Sequence, residues 1–230
     1  MCLKLLVIFA PMTDTTITIS GVAVHEPMTV CTDFIIAALA ISFYFRLRKS
    51  SDQTTTYWSF FFLLLGSATF TGAFSHAFFA IHEGWRYKSF WLSMQVINGV
   101  GIYYAQQATL VSVLQNTPAR NKWKWSYRIQ LILFIICLLL IQKYLVSIIE
   151  NAVALIPIMI LHYKDKRPFA KTIANGIAVS FITAFVHVGK LSLHDYFNYN
   201  DLAHVFIMIS LYIMFRGVKS KALDTGITVR

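Results

Sequence analysis

Charge of either sign is scarce in this chain, and negative charge is scarcest. Only 13% of the 230 residues are charged, with 10 Asp and Glu against 20 Lys and Arg. A soluble domain carries about a quarter charged residues, so the deficit excludes an ordinary water-soluble globule. Cysteine is nearly absent: Cys2, Cys31 and Cys137 are scattered and odd in number. That pattern excludes a disulfide framework and a thiolate metal site. No internal repeat, phosphate-binding loop or nucleophile elbow is present, which removes those routes to function.

What fills the chain is apolar. Hydrophobic residues make up 57% of it and the mean hydropathy is +0.61, values of an integral membrane protein. The formal charge of +10 raises the question of nucleic acid. However, the basic residues sit in short clusters between apolar runs, the pattern of loops facing anionic headgroups, so no nucleic-acid partner is expected.

The apolar runs divide the chain into an extracytoplasmic segment (1–27), a transmembrane domain (28–217) and a cytoplasmic tail (218–230). In the first segment, Leu5–Ala10 is shorter than a signal-peptide core, and no cleavage is expected. Thr15–Val24, rich in Thr, Ile and Val, predicts a short extended pair outside the membrane. Spans are then expected at about Met28–Leu47, Thr56–His82 after a Thr-rich loop, Ser89–Leu114, two within Ser126–Tyr163, Pro168–Val188, and a last one ending at Arg216-Gly217. Each is near the roughly 20 residues that a bilayer requires.

No Gly or Pro marks a turn inside Ser126–Tyr163, and charge supplies the argument for one near Gln142-Lys143-Tyr144. With seven spans one side receives Arg46, Arg48, Lys49, Arg120, Lys122, Lys124, Arg128, Lys164, Lys166, Arg167, Lys171, Arg216, Lys219, Lys221 and Arg230. The other receives Lys4, Arg86, Lys88, Lys143 and Lys190, a split of 15 against 5. A single crossing there gives 8 against 12, so the positive-inside rule selects an all-α bundle of seven transmembrane helices, N-terminus outside and C-terminus cytoplasmic.

In that arrangement Asp33, His76, Gln95, Asn98, Glu150, Asn151, His187, Asn200, Asp201 and His204 all fall in the outer half. Asp33, His76 and His204 share a depth of roughly 8–9 Å, at about 1.5 Å per residue. Gln95, Gln106, Gln107 and Asn175 read as interhelical hydrogen-bonding glue, worth about 0.6 kcal/mol each. Asn98 and Asn151 read first as the same glue and then as polar members of a site. Buried carboxylates are different, because each needs a partner or a metal. His25, His82 and His194 fall at the interface and His162 at the inner end. Thr69, Gly72 and His76 form one stripe, a hydroxyl, a close-approach glycine and an imidazole.

The blocks Glu26-Pro27-Met28-Thr29 with Asp33, Ser75-His76-Ala77-Phe78, and Tyr196 to His204 ending at Arg216-Gly217 resemble an uncharacterised bacterial family of seven-helix membrane proteins. More distantly, the layout is similar to the CREST superfamily of alkaline ceramidases and adiponectin/progestin receptors. That resemblance implies a zinc-dependent hydrolase of lipid amides or esters in a bacterial inner membrane, with membrane lipids as partners. It places metal ligands at His76 and His204, and a third at Asp201 or His187, with Asp33 or Glu150 as general base. Asn200 stands where the family has a histidine and Gly72 where it has a serine. The helix-three acidic residue is missing, its role falling to Asp33 or Asp201. Two histidines with one or two carboxylates form a donor set that zinc accepts. The alternative reading is a receptor, transporter or structural bundle in which the same residues form a buried polar network.

The charge split makes a direct prediction. Cysteines introduced as Gln53→Cys and Lys122→Cys are expected to be shielded from an impermeant thiol reagent in intact cells; labelling of both reverses the orientation.

Overall fold

A computed structural model describes residues 15–79, 84–115, 117–194 and 196–224. The Leu5–Ala10 patch, Cys2 and His82 lie outside the described residues. The described chain begins with an antiparallel hairpin, β1 (Thr16–Ile19) and β2 (Val22–His25), in which Thr16 faces His25 and Ile19 faces Val22. Ser20 and Gly21 have φ of 51° and 83°. Positive φ at both central positions gives the type I′ turn whose twist suits a two-residue hairpin.

Helices follow: α1 (Pro27–Leu47), α2 (Gln53–Phe79), α3 (Trp85–Ser112), α4 (Arg120–Ile141), α5 (Tyr144–Lys164), α6 (Pro168–Ser180), α7 (Ile182–Gly189) and α8 (Tyr199–Asp224). Since α6 and α7 continue as one rod, the described residues build seven rods. Six of these, all but α3, are long and apolar enough to cross a bilayer, and the chain is a multi-pass membrane protein. The 28-residue α3 is diluted by Gln95, Asn98, Gln106 and Gln107. The apolar surface points the same way. On α4, Ile129, Ile132, Leu133, Ile136, Leu139 and Leu140 are all exposed, a face too apolar for water and suited to lipid tails.

Several boundaries differ from expectation for local reasons. The Thr-rich loop before the second span is instead the first turn of α2. Asp52 accepts hydrogen bonds from the Thr55 amide at 2.9 Å and its hydroxyl at 2.7 Å, a side-chain cap that lets the helix begin at Gln53. Between α4 and α5 the chain reverses at Gln142, a non-glycine at φ 50°. Its amide donates to the Leu138 carbonyl at 3.0 Å and its side-chain amide to Leu139 at 3.2 Å. These bonds offset the roughly 1–2 kcal/mol cost of a left-handed residue. The rod expected as one helix over Pro168–Val188 is interrupted at Phe181. There the Ser180 hydroxyl takes the Ile177 carbonyl at 2.6 Å and the Thr183 hydroxyl takes that of Ser180 at 2.7 Å, competing with the helix ladder. Finally, α8 runs on to Asp224, past the expected end at Gly217.

Close contacts concentrate where side chains are smallest. Helix α1 crosses α2 at Gly66, and α6 crosses α8 at Gly176 and Gly217. A Cβ on Gly176 would stand 2.9 Å from the Met214 amide and 3.0 Å from the Ser210 carbonyl, both backbone atoms. The Ser210 hydroxyl also donates to the Gly176 carbonyl at 2.8 Å across this seam. Such small-residue contacts are the usual glue between helices in lipid. Gly176→Ala is therefore expected to destabilise the bundle by about 1–3 kcal/mol, although alanine is the better helix former. Gly84→Ala, with nothing within 4 Å, should change the melting temperature little; equal effects from the two would refute the tight seam.

Candidate functional site

The site is built where α1 and α8 begin and α2 ends. One face of α1 buries Thr29, Thr32, Asp33, Ile36, Ala37, Ala40, Phe43 and Leu47. The apolar members of this stripe join the core, so the same helical periodicity holds the three polar ones inside. Ahead of them, Glu26 sits between hairpin and helix in a left-handed conformation, φ 45° and ψ 52°. Its amide donates to the Thr15 carbonyl at 2.9 Å. Strain of this kind persists where the surroundings impose it, and here it turns a buried carboxylate toward α2.

Glu26 Oε2 is paired with His76 Nδ1. A carboxylate can only accept, so the imidazole donates through Nδ1. The second histidine is tethered in parallel fashion. Thr32 Oγ1 donates to the Thr29 carbonyl at 3.0 Å and lies 2.7 Å from His204 Nδ1. With its hydrogen already committed, Thr32 accepts from His204 Nδ1–H, which leaves Nε2 bearing a lone pair. That Nε2 faces Asp33 Oδ1 at 3.5 Å, while Asp33 Oδ2 lies against Gly72, 3.2 Å from where a Cβ would stand. Asp33 and His204 are also within electrostatic reach of His76. Thus Asp33 and His204 meet from α1 and α8, and His76 of α2 stands within electrostatic reach of both.

Asp201 has a different occupation. Its Oδ1 accepts from the Thr29 hydroxyl at 3.0 Å and its Oδ2 from the Asn198 amide at 2.8 Å. In return Asn198 Oδ1 accepts from the amides of Asn200 and Asp201 at 2.7 and 3.4 Å. This reciprocal arrangement is a capping box that starts α8. His187 stands between two tyrosine rings, Tyr144 and Tyr199, with centroids 5.7 and 5.6 Å away.

The remaining expected residues form a second network. Gln106 donates to Gln130 at 3.0 Å, and Gln130 donates to Glu150 at 3.3 Å, a chain across α3, α4 and α5. Asn98 and Asn151 meet nearby at a long 3.5 Å. Glu150 shares a depth with Asp33, yet it faces a different seam. At the opposite end, fully buried His162 approaches the Thr109 hydroxyl at 3.2 Å through Nε2.

Among the described residues no three His, Cys, Asp or Glu side chains are gathered closely enough to hold a metal ion. Two donors do fit in kind and spacing. Ligand atoms on a tetrahedral zinc with bonds of about 2.0–2.1 Å stand about 3.4 Å apart, close to the Asp33–His204 separation. Glu26 and Thr29 entered the sequence reading only within the block that carries the resemblance, and Thr32 did not enter it. The signal for the two threonines was the spacing Thr29, Thr32, Asp33 on one turn of α1.

Replacing Thr32 by the isosteric Val removes the acceptor for His204 Nδ1–H. The substitution is expected to lower stability by about 1–3 kcal/mol, the cost of an unsatisfied buried donor. Thr32→Ser should restore most of it, and a Thr32→Val protein as stable as the parent would contradict the tether.

No curated protein and no solved structure matches the chain. A family of unknown function, DUF6962, matches residues 28–223, the interval that holds every rod and every member of the site except Glu26, and the chain belongs to that family.

Proposed function

We propose that this multi-pass membrane protein is a metal-dependent hydrolase of lipid amides or esters, resembling the CREST enzymes, with its site at the outer end of a seven-span bundle whose N-terminus lies outside. The observation that carries the reading is the pair His204 Nε2 and Asp33 Oδ1. Two lone-pair-bearing atoms face each other at 3.5 Å in apolar surroundings, an arrangement that asks for a cation or proton between them.

His204 and Asp33 would hold zinc between them, and His76, within electrostatic reach of both, would have to close onto the ion as the third ligand. Metal-binding histidines usually donate their other ring N–H to a carboxylate or another fixed oxygen, which is how Glu26 and Thr32 treat the two imidazoles. A zinc ion in such a site polarises a carbonyl and acidifies water. The chain's own residues do the rest. Glu26 fixes the ring orientation and tautomer of His76, Thr32 does the same for His204, and Asp33 Oδ2 is the acceptor for a proton released beside Gly72. In this reading Asp33 takes the base role in preference to Glu150, which bonds Gln130, and Asp201, which caps α8, stands outside the ligand set.

A second reading has its own support, because Glu26 and Asp201 already have ion-pairing and hydrogen-bonding partners and a proton on Asp33 would let it donate to His204 Nε2. In that case the cluster is a polar lock between α1, α2 and α8 in a receptor, transporter or structural bundle. Metal analysis separates the two. Protein purified without chelator is expected to hold stoichiometric zinc, and His204→Ala and His76→Ala should each lose it, together with hydrolysis of long-chain lipid amides or esters, while remaining folded. Wild-type protein free of metal overturns the hydrolase reading.

A further inference from the structure

At the end of the bundle opposite the histidines, a cavity of about 330 Å³ opens between the end of α3 and the α5–α6 loop, lined by Val113, Leu161, Lys164, Asp165, Lys166 and Arg167. It is an open depression rather than an enclosed pocket. Arg167 at its edge is held by several partners. Arg167 Nε donates to both Asp165 oxygens at 2.9 and 3.0 Å, and its terminal nitrogen to the Ser112 carbonyl at 2.5 Å. The guanidinium also lies 4.8 Å above the Phe169 ring centre. Partial burial pushes the Asp165 carboxyl up, but the hydrogen bonds and charge of Arg167 outweigh it and hold the group below its ordinary value.

Arg167 and Asp165 therefore neutralise each other. Lys164 and Lys166 are exposed and form no ion pair among the described residues, so the cavity carries two uncompensated positive charges beside two apolar walls. Its level matters as well: Lys164 closes one apolar span and Pro168 opens the next, which puts the cavity at the plane of lipid phosphates. Basic pockets between helices at that plane suit anionic headgroups.

We propose that this cavity binds the phosphate of an anionic phospholipid, with Lys164 and Lys166 supplying the charge and Val113 and Leu161 receiving the start of its acyl chains. The site is separate from the histidine cluster and rests only on the chain spanning a bilayer, so it stands or falls independently of the hydrolase reading.

The test uses the full chain in detergent, titrated with phosphatidylglycerol or phosphatidylcholine and followed by native mass spectrometry. Phosphatidylglycerol should be retained in preference. Lys164→Gln combined with Lys166→Gln should weaken that retention by roughly 30-fold, with helix content and melting temperature unchanged. Val113→Glu, which adds an anion from a different helix, should weaken it as well. Inorganic phosphate at matched concentration should not displace the lipid. Equal retention of the two lipids, unchanged binding by both variants, or displacement by phosphate alone would each overturn the proposal, the last by assigning the cavity to a soluble phosphate.

Discussion

An ionised carboxylate inside an apolar bundle has to be compensated where it stands, and the end of the bundle where α1 and α8 begin is organised by that requirement. Three carboxylates, Glu26, Asp33 and Asp201, are each no more than 5% exposed. Glu26 is compensated by an ion pair with His76 and Asp201 by a set of amide and hydroxyl donors, while Asp33 has the close approach of His204. These devices link the starts of α1 and α8 to the end of α2. Isolated helices in lipid have weak reasons to choose neighbours, so a polar cluster shared by three of them selects the arrangement as well as furnishing a site.

The rest of the fold serves the geometry of that cluster. The hairpin ends on Glu26 and fixes its left-handed turn, Gly72 leaves room for Asp33 Oδ2, and the capping box sets the first turn of α8 so that His204 lies opposite Thr32 and Asp33. Farther in, the glycine seams of α1 with α2 and α6 with α8 bring backbones close. Among them Phe43 stacks on Phe215, with ring centres 4.1 Å apart. Rigidity at these crossings is what holds a constellation of three helices to fractions of an ångström.

Much of this was legible in the amino-acid order, and the parts that were not share a physical cause. Apolar runs and their charged punctuation gave the rods, because lipid demands about 20 apolar residues per crossing; charge bias even located the turn at Gln142. Depth along a helix was equally readable, and Asp33 and His204, expected at one level, do approach each other at 3.5 Å. Rotation about the helix axis was not. Glu150 lies at the same level as Asp33 but faces Gln130, and His187 faces two tyrosines. Asp201 was legible as a buried carboxylate, and its pairing with Asn198 three residues ahead adds a capping pattern that the ligand reading did not use. Glu26 went unassigned because its importance comes from a backbone turn that no side-chain periodicity announces.

Charge balance at the cluster carries the functional argument one step further. Glu26, Asp33 and Asp201 together bring three potential negative charges, while His76 and His204 bring at most two positive ones. The Thr32 tether gives His204 a bare Nε2, and an imidazole held in that tautomer is neutral. Ionising all three carboxylates against His76 alone leaves an uncompensated negative charge of about two in surroundings that tolerate none. Amide and hydroxyl donors disperse the share belonging to Asp201. What is left falls on Asp33, at the one place where an acceptor atom faces another acceptor atom. A proton closes that remaining deficit of about one charge, and a divalent ion would close the full imbalance of about two, the share at Asp201 included. The structure therefore concentrates the choice between a metal centre and a protonated polar lock on a single oxygen and a single nitrogen.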